Sequence, residues 1–203
     1  MTVFAVVPVK DLGETKSRLS SSLDPDERAV LTLWMLEHVL ATLREASGVE
    51  RISVVSPSPR VLFLAEDAGA STLPQESRGL NNALEEGRDW AISGGASSLL
   101  VLPADLPYLS ASDVWTLLKL HRDNERGVVI SPDNAREGTN ALLMRPPDAL
   151  PFLFGPGSYE AHLRTARERG LQISTYEDTG IAFDLDTKED LERLIRSRNL
   201  SSP

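Results

Sequence analysis

The chain has 203 residues, 21 Lys and Arg against 30 Asp and Glu, a formal charge of −9 and no cysteine. The missing thiols exclude disulfides, cysteine-ligated zinc and thiol catalysis. The acidic balance argues against a general binder of nucleic acid or anionic membrane, so positive charge for a phosphate ligand has to be local.

The length suits one domain with a real core, expected over residues 1–200, with Ser201-Ser202-Pro203 as a disordered tail. Met1 leads straight into an apolar stretch without a signal pattern, and no apolar run approaches a membrane span. The expected address is the cytoplasm, with neither membrane nor nucleic acid as partner; a homodimer is left open.

Val3 to Val7 reads as an apolar strand ending at Pro8 and emptying into a polar loop, Val9 to Arg18. Lys10, Lys16 and Arg18 in that loop suit a triphosphate; the plainer alternative is a solvated basic loop. The loop is neither a GxGxxG nor a Walker A sequence, because the glycine pattern is absent. Asp24-Pro-Asp-Glu27 is a helix start: Asp24 caps, Pro25 takes the first position and Glu27 closes a capping box. The helix is expected to run to about Ala46, with Val30, Trp34, His38 or Leu36, Leu40 and Leu43 as its apolar stripe. His38 reads as a packed or surface histidine, and Gly48 as the stop.

Arg51 to Val55 is the next strand. The serines of Ser56-Pro-Ser-Pro59 either line a base pocket or form a turn before a proline-started helix to about Ala68. A short strand, Ala70 to Leu73, follows. Gln75 to Ala83 then opens a helix over about Leu80 to Ile92. Gly79 lets a ligand approach the backbone, and Asn81 and Asn82 offer amides to a purine edge or simply open the helix.

Ser97 to Leu102 reads as a strand covered on both faces. It stops at Pro103, and Asp105 follows where open α/β sheets bind ligands, outside the carboxyl ends of strands. An Asp between prolines also makes an ordinary turn. Ser110 caps the next helix with Asp113 at its third position, and Val114, Leu117, Leu118 and His121 face inward.

Gly127 to Ser131 and Ala141 to Met144 are strands around a polar loop, Pro132 to Asn140. Pro151 to Ser158 opens a helix through about Arg169. Its glycines expose N–H groups where the helix dipole favours an anion, with Thr139 and Ser158 as hydroxyl donors, or it is a plain cap and loop. Leu171 to Tyr176 is a strand. Ile181 to Asp186 alternates like one, placing Asp184 and Asp186 on one side. Like charges about 4 Å apart cost roughly 4 kcal/mol at an effective dielectric near 20, a cost that a hard cation such as Mg2+ removes. Alternatively, Asp186-Thr187 caps a last helix over Lys188 to Ser197.

Several stretches together resemble a known family. They are Pro8-Val-Lys10, Lys16-Ser-Arg-Leu19, Gly79-Leu-Asn81, Leu102-Pro-Ala-Asp-Leu-Pro107, Pro132-Asp133, Gly138-Thr-Asn-Ala-Leu-Leu143, Phe154-Gly-Pro-Gly-Ser158 with His162, and Asp184-Leu-Asp-Thr187 with Glu189-Asp-Leu191. The chain resembles the 2-phospho-L-lactate guanylyltransferases of coenzyme F(420) biosynthesis, whose bacterial members include phosphoenolpyruvate guanylyltransferases. The resemblance implies an α/β fold of the GT-A-like, Rossmann-like nucleotidyltransferase kind, with a mixed, mostly parallel sheet between helices. It implies GTP, Mg2+ and a small phosphorylated acid as ligands. Asp105, Asp184 and Asp186 match the metal-binding carboxylates, and Thr139, Gly155 and Ser158 match the contacts to the phosphorylated acid. Lys10, Lys16 and Arg18, with Asp105, are the expected catalytic group around the triphosphate; Gln75, Gly79 and Asn81 are the expected nucleotide contacts.

Two departures stand out. Asn134 follows Pro132-Asp133 where a basic residue is common, with Arg136 two positions on, and Tyr159 replaces a common Phe. The alternatives are a nucleotidyltransferase for another acceptor such as 3-phosphoglycerate, a glycosyltransferase using a sugar nucleotide, and a non-catalytic nucleotide-binding module, which would bind GTP without releasing pyrophosphate.

Overall fold

A computed structural model of the chain describes residues 1–122 and 126–200; the tail expected at 201–203 lies outside them. Seven strands, β1 (Val3–Pro8), β2 (Val49–Ser56), β3 (Ser71–Pro74), β4 (Ser98–Val101), β5 (Gly127–Pro132), β6 (Thr139–Arg145) and β7 (Gln172–Thr175), form one sheet. Their order is β3-β2-β1-β4-β6-β5-β7. Parallel pairing joins β1 to β2 and β4, β2 to β3, and β5 to β7. β6 runs antiparallel to β4 and β5. The sheet is mixed and mostly parallel, as expected.

The sequence of β1 shows why both faces are covered. Val3, Ala5 and Val7 enter one apolar cluster; Phe4 and Val6 enter the other. A continuous apolar strand suits a sheet sandwiched between helices. Helices α1 (Pro25–Glu45), α2 (Pro59–Asp67) and α4 (Ala111–His121) supply the first cluster, and α3 (Leu80–Ser93) and α5 (Ser158–Glu168) the second. α3 rides close to the sheet at Gly87, where an added Cβ would meet Val6 Cγ1 at 2.5 Å. No described helix is long and apolar enough to cross a membrane.

Both expected capping boxes are formed, Asp24 with Glu27 on α1 and Ser110 with Asp113 on α4. The expected stripe on α1 holds at Leu36, Leu40 and Leu43, all buried, and fails at Val30. Val30 is 60% exposed, and Ala29, Met35, Leu36, Val39, Leu40 and Leu43 are buried. The reason is that α1 has two apolar faces. Leu36, Val39, Leu40 and Leu43 meet the sheet, and Met35 meets a third cluster with Leu19, Phe183, Leu185 and Leu194.

That third cluster brings the C-terminal segment back to the sheet. Here Ile181 to Asp186 is not a strand. A helical turn, α6 (Thr179–Ala182), leads into extended chain outside the sheet, before α7 (Lys188–Leu200). The alternation survives without ladder partners: Phe183 and Leu185 are 1% and 0% exposed. Burying each stabilises this docking by about 1.5–3 kcal/mol, and Asp184 and Asp186 are left on the other side. β6 begins two residues earlier than expected, so Thr139 lies opposite Pro132, at the carboxyl end of its antiparallel neighbour β5. The chain winds from β1 outward to β3, then crosses to β4 on the other side of β1, so the crevice of the fold lies at the ends of β1 and β4.

Candidate active site

Lys16 holds the centre of that crevice. Its backbone is left-handed, φ 51°, at the entry of a 3-10 turn over Ser17–Leu19. A non-glycine residue there carries roughly 1–2 kcal/mol of strain. The side chain is 6% exposed, and Nζ lies 2.6 Å from Asp105 Oδ2 and 3.0 Å from Asp186 Oδ1. Leu19, fully buried, anchors the turn. Asp105 arrives on the loop after β4, and its carbonyl accepts the Leu185 N–H at 3.1 Å, which brings Asp184 and Asp186 alongside. Arg18, on the surface, reaches Asp186 Oδ2 at only 3.5 Å; an exposed pair of this kind contributes little.

Burial disfavours the Lys16 ammonium, but Asp105 and Asp186 outweigh it and hold its pKa above the ordinary lysine value. Burial likewise opposes the Asp186 carboxylate, yet Lys16, Arg18 and Lys10 hold it below its ordinary range. Asp184 is pushed up to about 6, first by burial and then by the charges of Asp105 and Asp186; the Asn140 amide, 3.4 Å from its Oδ1, works the other way. The last helix is capped by Thr187, not Asp186. Thr187 and Asp190 bond each other, and Asp190 also takes the N–H of Asp186. Asp184 and Asp186 are therefore free of capping duty.

Among the described residues no three Asp, Glu or His side chains stand close enough to hold a metal ion as they are. The Lys16 ammonium stands between two of the three candidates. The donor chemistry nevertheless fits a hard cation: all oxygen, clustered, and with more negative charge than one lysine neutralises.

A cleft of about 390 Å³ opens over this cluster, lined by Lys10, Lys16, Arg18, Asp105 and Asp186 among others. A neighbouring hollow of about 380 Å³ is lined by Lys10, Gln75, Ser77, Arg78, Gly79 and Leu80. Pro8, Val9, Lys10, Glu14 and Leu80 border both, so the two form one groove across the end of β1. Gly79, φ 101°, turns the chain into α3 without any side-chain cap, leaving the first amides of the helix uncapped. Gln75 bonds the carbonyls of Ser77 and Gly79, so it shapes the loop. Arg78 was not singled out from sequence; a cation beside Gly79 was the available signal.

Asn81 is placed differently from a base contact. Its amide gives a hydrogen to the Phe154 carbonyl at 3.1 Å and accepts the Phe154 N–H at 2.9 Å, while Asn82 bonds the Arg78 carbonyl. Asn81 thus ties the start of α3 to the 153–157 loop. On that loop Gly155 is exposed, with φ 136°. Thr139 and Ser158 are buried, with their hydroxyl oxygens 3.2 Å apart. They line neither part of the groove. Asn140, next in the chain, joins this pair to the carboxylates by bonding the Ile181 carbonyl and Asp184. Its place inside the Gly138 to Leu143 stretch is the one sequence signal for that role. Arg136, φ 57°, is held by both oxygens of Glu177 at 2.6 and 2.7 Å and by the Tyr159 hydroxyl, so it is engaged and not a free cation replacing the one absent at Asn134.

A sheet with its switch between β1 and β4, carboxylates at that switch and a cation-bordered groove defines the nucleotidyltransferase class. The fold is shared with a nucleotidyl transferase from Methanothermobacter, TM-score 0.73 at 17% identity over 99% of each chain. Residues 3–199 match the family described as "Guanylyl transferase CofC like", and the chain belongs to it. The phosphoenolpyruvate guanylyltransferase of Rubrobacter xylanophilus is 56% identical, covering 96% of this chain and 94% of that protein. The 2-phospho-L-lactate guanylyltransferase of Methanothermobacter thermautotrophicus is 37% identical over 96% and 85%. The 3-phospho-D-glycerate guanylyltransferase of Colwellia psychrerythraea is 35% identical over 98% and 92%.

Proposed function

We propose that this chain transfers GMP from GTP to a small phosphorylated carboxylic acid, as a step of coenzyme F(420) biosynthesis. An oxygen of the acceptor phosphate attacks the α-phosphorus of GTP in line; the bond to the bridging oxygen breaks and pyrophosphate leaves. A phosphate monoester is mostly dianionic near neutrality, its second pKa being about 6, so the nucleophile needs no general base. What remains is the meeting of two anions.

The observation that carries the reading is the Lys16 ammonium set between Asp105 and Asp186, beside Asp184, under a groove bordered by Lys10 and Arg18. Asp105, Asp184 and Asp186 would hold Mg2+, which would neutralise triphosphate charge. Lys10, Lys16 and Arg18 bind and orient the phosphates and stabilise the charge that develops on them. The hollow beside Gln75, Arg78 and the uncapped α3 terminus receives the nucleotide. Thr139, Gly155 and Ser158 receive the acceptor. The relatives named for phosphoenolpyruvate, phospholactate and phosphoglycerate support this class of acceptor, and phosphoenolpyruvate, named in the 56% identical relative, is the first to try.

The test is a coupled assay with GTP or ATP and each acceptor, recording pyrophosphate and product mass with and without Mg2+. GTP with one of the acids should yield both products. Asp105→Asn should lower turnover about 10²–10³-fold while the protein stays folded by circular dichroism. Binding of GTP without pyrophosphate under every condition would leave a binding module instead.

A further inference from the structure

We propose that His162 is a positioning residue for the acceptor: its ring, protonated on Nδ1, leaves the Thr139–Ser158 hydroxyl pair with one spare O–H to give to an anion. This rests on the reading of Thr139 and Ser158 as acceptor contacts. His162, fully buried on α5, has both nitrogens engaged. The Leu153 N–H lies 3.1 Å from Nε2, and a backbone N–H can only donate, so Nε2 carries the lone pair. In a neutral ring the proton is then on Nδ1, which stands 3.0 Å from Thr139 Oγ1 and donates to it. Burial keeps the ring neutral, its pKa lowered to about 4, and the edge-on Phe154 ring, centroid 5.0 Å away, helps seal it from water.

The consequence follows by counting protons. Two hydroxyls 3.2 Å apart share one hydrogen bond, which uses one of their two protons. With Nδ1 as donor, the second proton has no partner in this trio and is available to a phosphate or carboxylate oxygen. With the opposite tautomer, Thr139 would spend its proton on Nδ1 and Ser158 would spend its own on Thr139, so nothing would be left to donate. The backbone of Leu153 therefore decides, through the imidazole, whether the pair can greet an anion. The spare proton lies at the first turn of α5, whose N-cap Gly157 supplies no side-chain acceptor, an end of a helix that favours negative charge.

Two substitutions separate positioning from packing. His162→Asn places an amide near the Nδ1 position and retains a donor to Thr139. His162→Gln places it near Nε2 and retains a partner for Leu153 while losing that donor. The Gln variant should raise the acceptor KM by about tenfold or more, with the GTP KM within about twofold. The Asn variant should keep the acceptor KM within about threefold of wild type. Equal effects of both variants, or losses shared by both substrates, would overturn the assignment. Thr139→Val tells the two readings apart. An unchanged acceptor KM there removes the acceptor site itself, whereas a raised KM with a wild-type Gln variant removes only the role of His162. In the wild-type protein, nitrogen NMR should find Nδ1 protonated and Nε2 bare between about pH 5.5 and 8; a protonated Nε2, or a ring titrating near its ordinary value, would also overturn it.

Discussion

Lys16 neutralises one of three clustered carboxylates, so Asp105, Asp184 and Asp186 with Lys16 carry −3 + 1 = −2 when ionised. Its removal leaves that cluster unpaired in a partly buried place. Breaking a buried pair from one side typically costs about 3–5 kcal/mol, and Asp186 is 42% exposed at its side chain, so the lower end applies. Lys16→Met should therefore lose about 3 kcal/mol of stability in chelator, measured by urea unfolding. Millimolar Mg2+ should restore much of that stability without restoring turnover, because a cation on the carboxylates replaces the ammonium there but not the triphosphate contact proposed for it. Stability unaffected by the substitution, with or without Mg2+, would remove Lys16 from the centre of this electrostatic argument.

Among the elements, α3 links the sheet to the side of the groove proposed for the nucleotide. Gly87 allows its close approach: a methyl there would sit 2.5 Å from Val6 Cγ1 and 3.3 Å from Val55 Cγ2. Gly87→Ala should cost about 1–3 kcal/mol and, by tilting the helix that begins beside Gly79, raise the GTP KM more than the acceptor KM. A stability and GTP KM matching wild type would mean that α3 yields without moving its start. Much of this layer was legible in the chain. β1, both capping boxes and the Asp105 turn rest on local chemistry, namely alternation, caps and prolines, and local chemistry is what a sequence displays. The stripe of α1 is right at Leu36, Leu40 and Leu43 and wrong at Val30, because a helix with two apolar partners offers two periodic readings. Ile181 to Asp186 was misread because alternation reports burial on one side, not the presence of ladder partners. The parts of the site that escaped are contacts across long separations. Nothing in the sequence says that Asn81 spends its amide on Phe154, 73 residues away, or that Asn140 reaches Asp184, 44 residues away.

For the molecule as a whole, the acid response of stability is set by two imidazoles buried neutral on opposite faces of the sheet. His121 on α4, fully buried, has Nε2 3.2 Å from Ser98 Oγ and no partner at Nδ1. Burial first, and then the positive charge of Arg145, push its pKa down to about 4. His162 is held at about 4 by burial alone. In the unfolded chain both titrate near 6.5. Between those values the unfolded state binds protons that the native state refuses, so the stability due to each ring is whole above about pH 6.5 and lost as pH falls to about 4. The loss is about 3 kcal/mol per ring. Asp184 works in the other direction. Its folded pKa of about 6 lies above the ordinary 3.8, so its contribution is present below that ordinary value and lost as pH rises through 6, again about 3 kcal/mol. Asp186, held below its ordinary range, acts only at more acid pH. In chelator the sum is a net loss of about 3 kcal/mol from pH 6.5 to 4. His121→Gln should remove one ring's share and flatten the slope without touching the acceptor KM. Urea unfolding at several pH values reads the difference directly: a wild-type stability that holds level or rises over that interval would mean that at least one of the two rings accepts a proton in the folded protein.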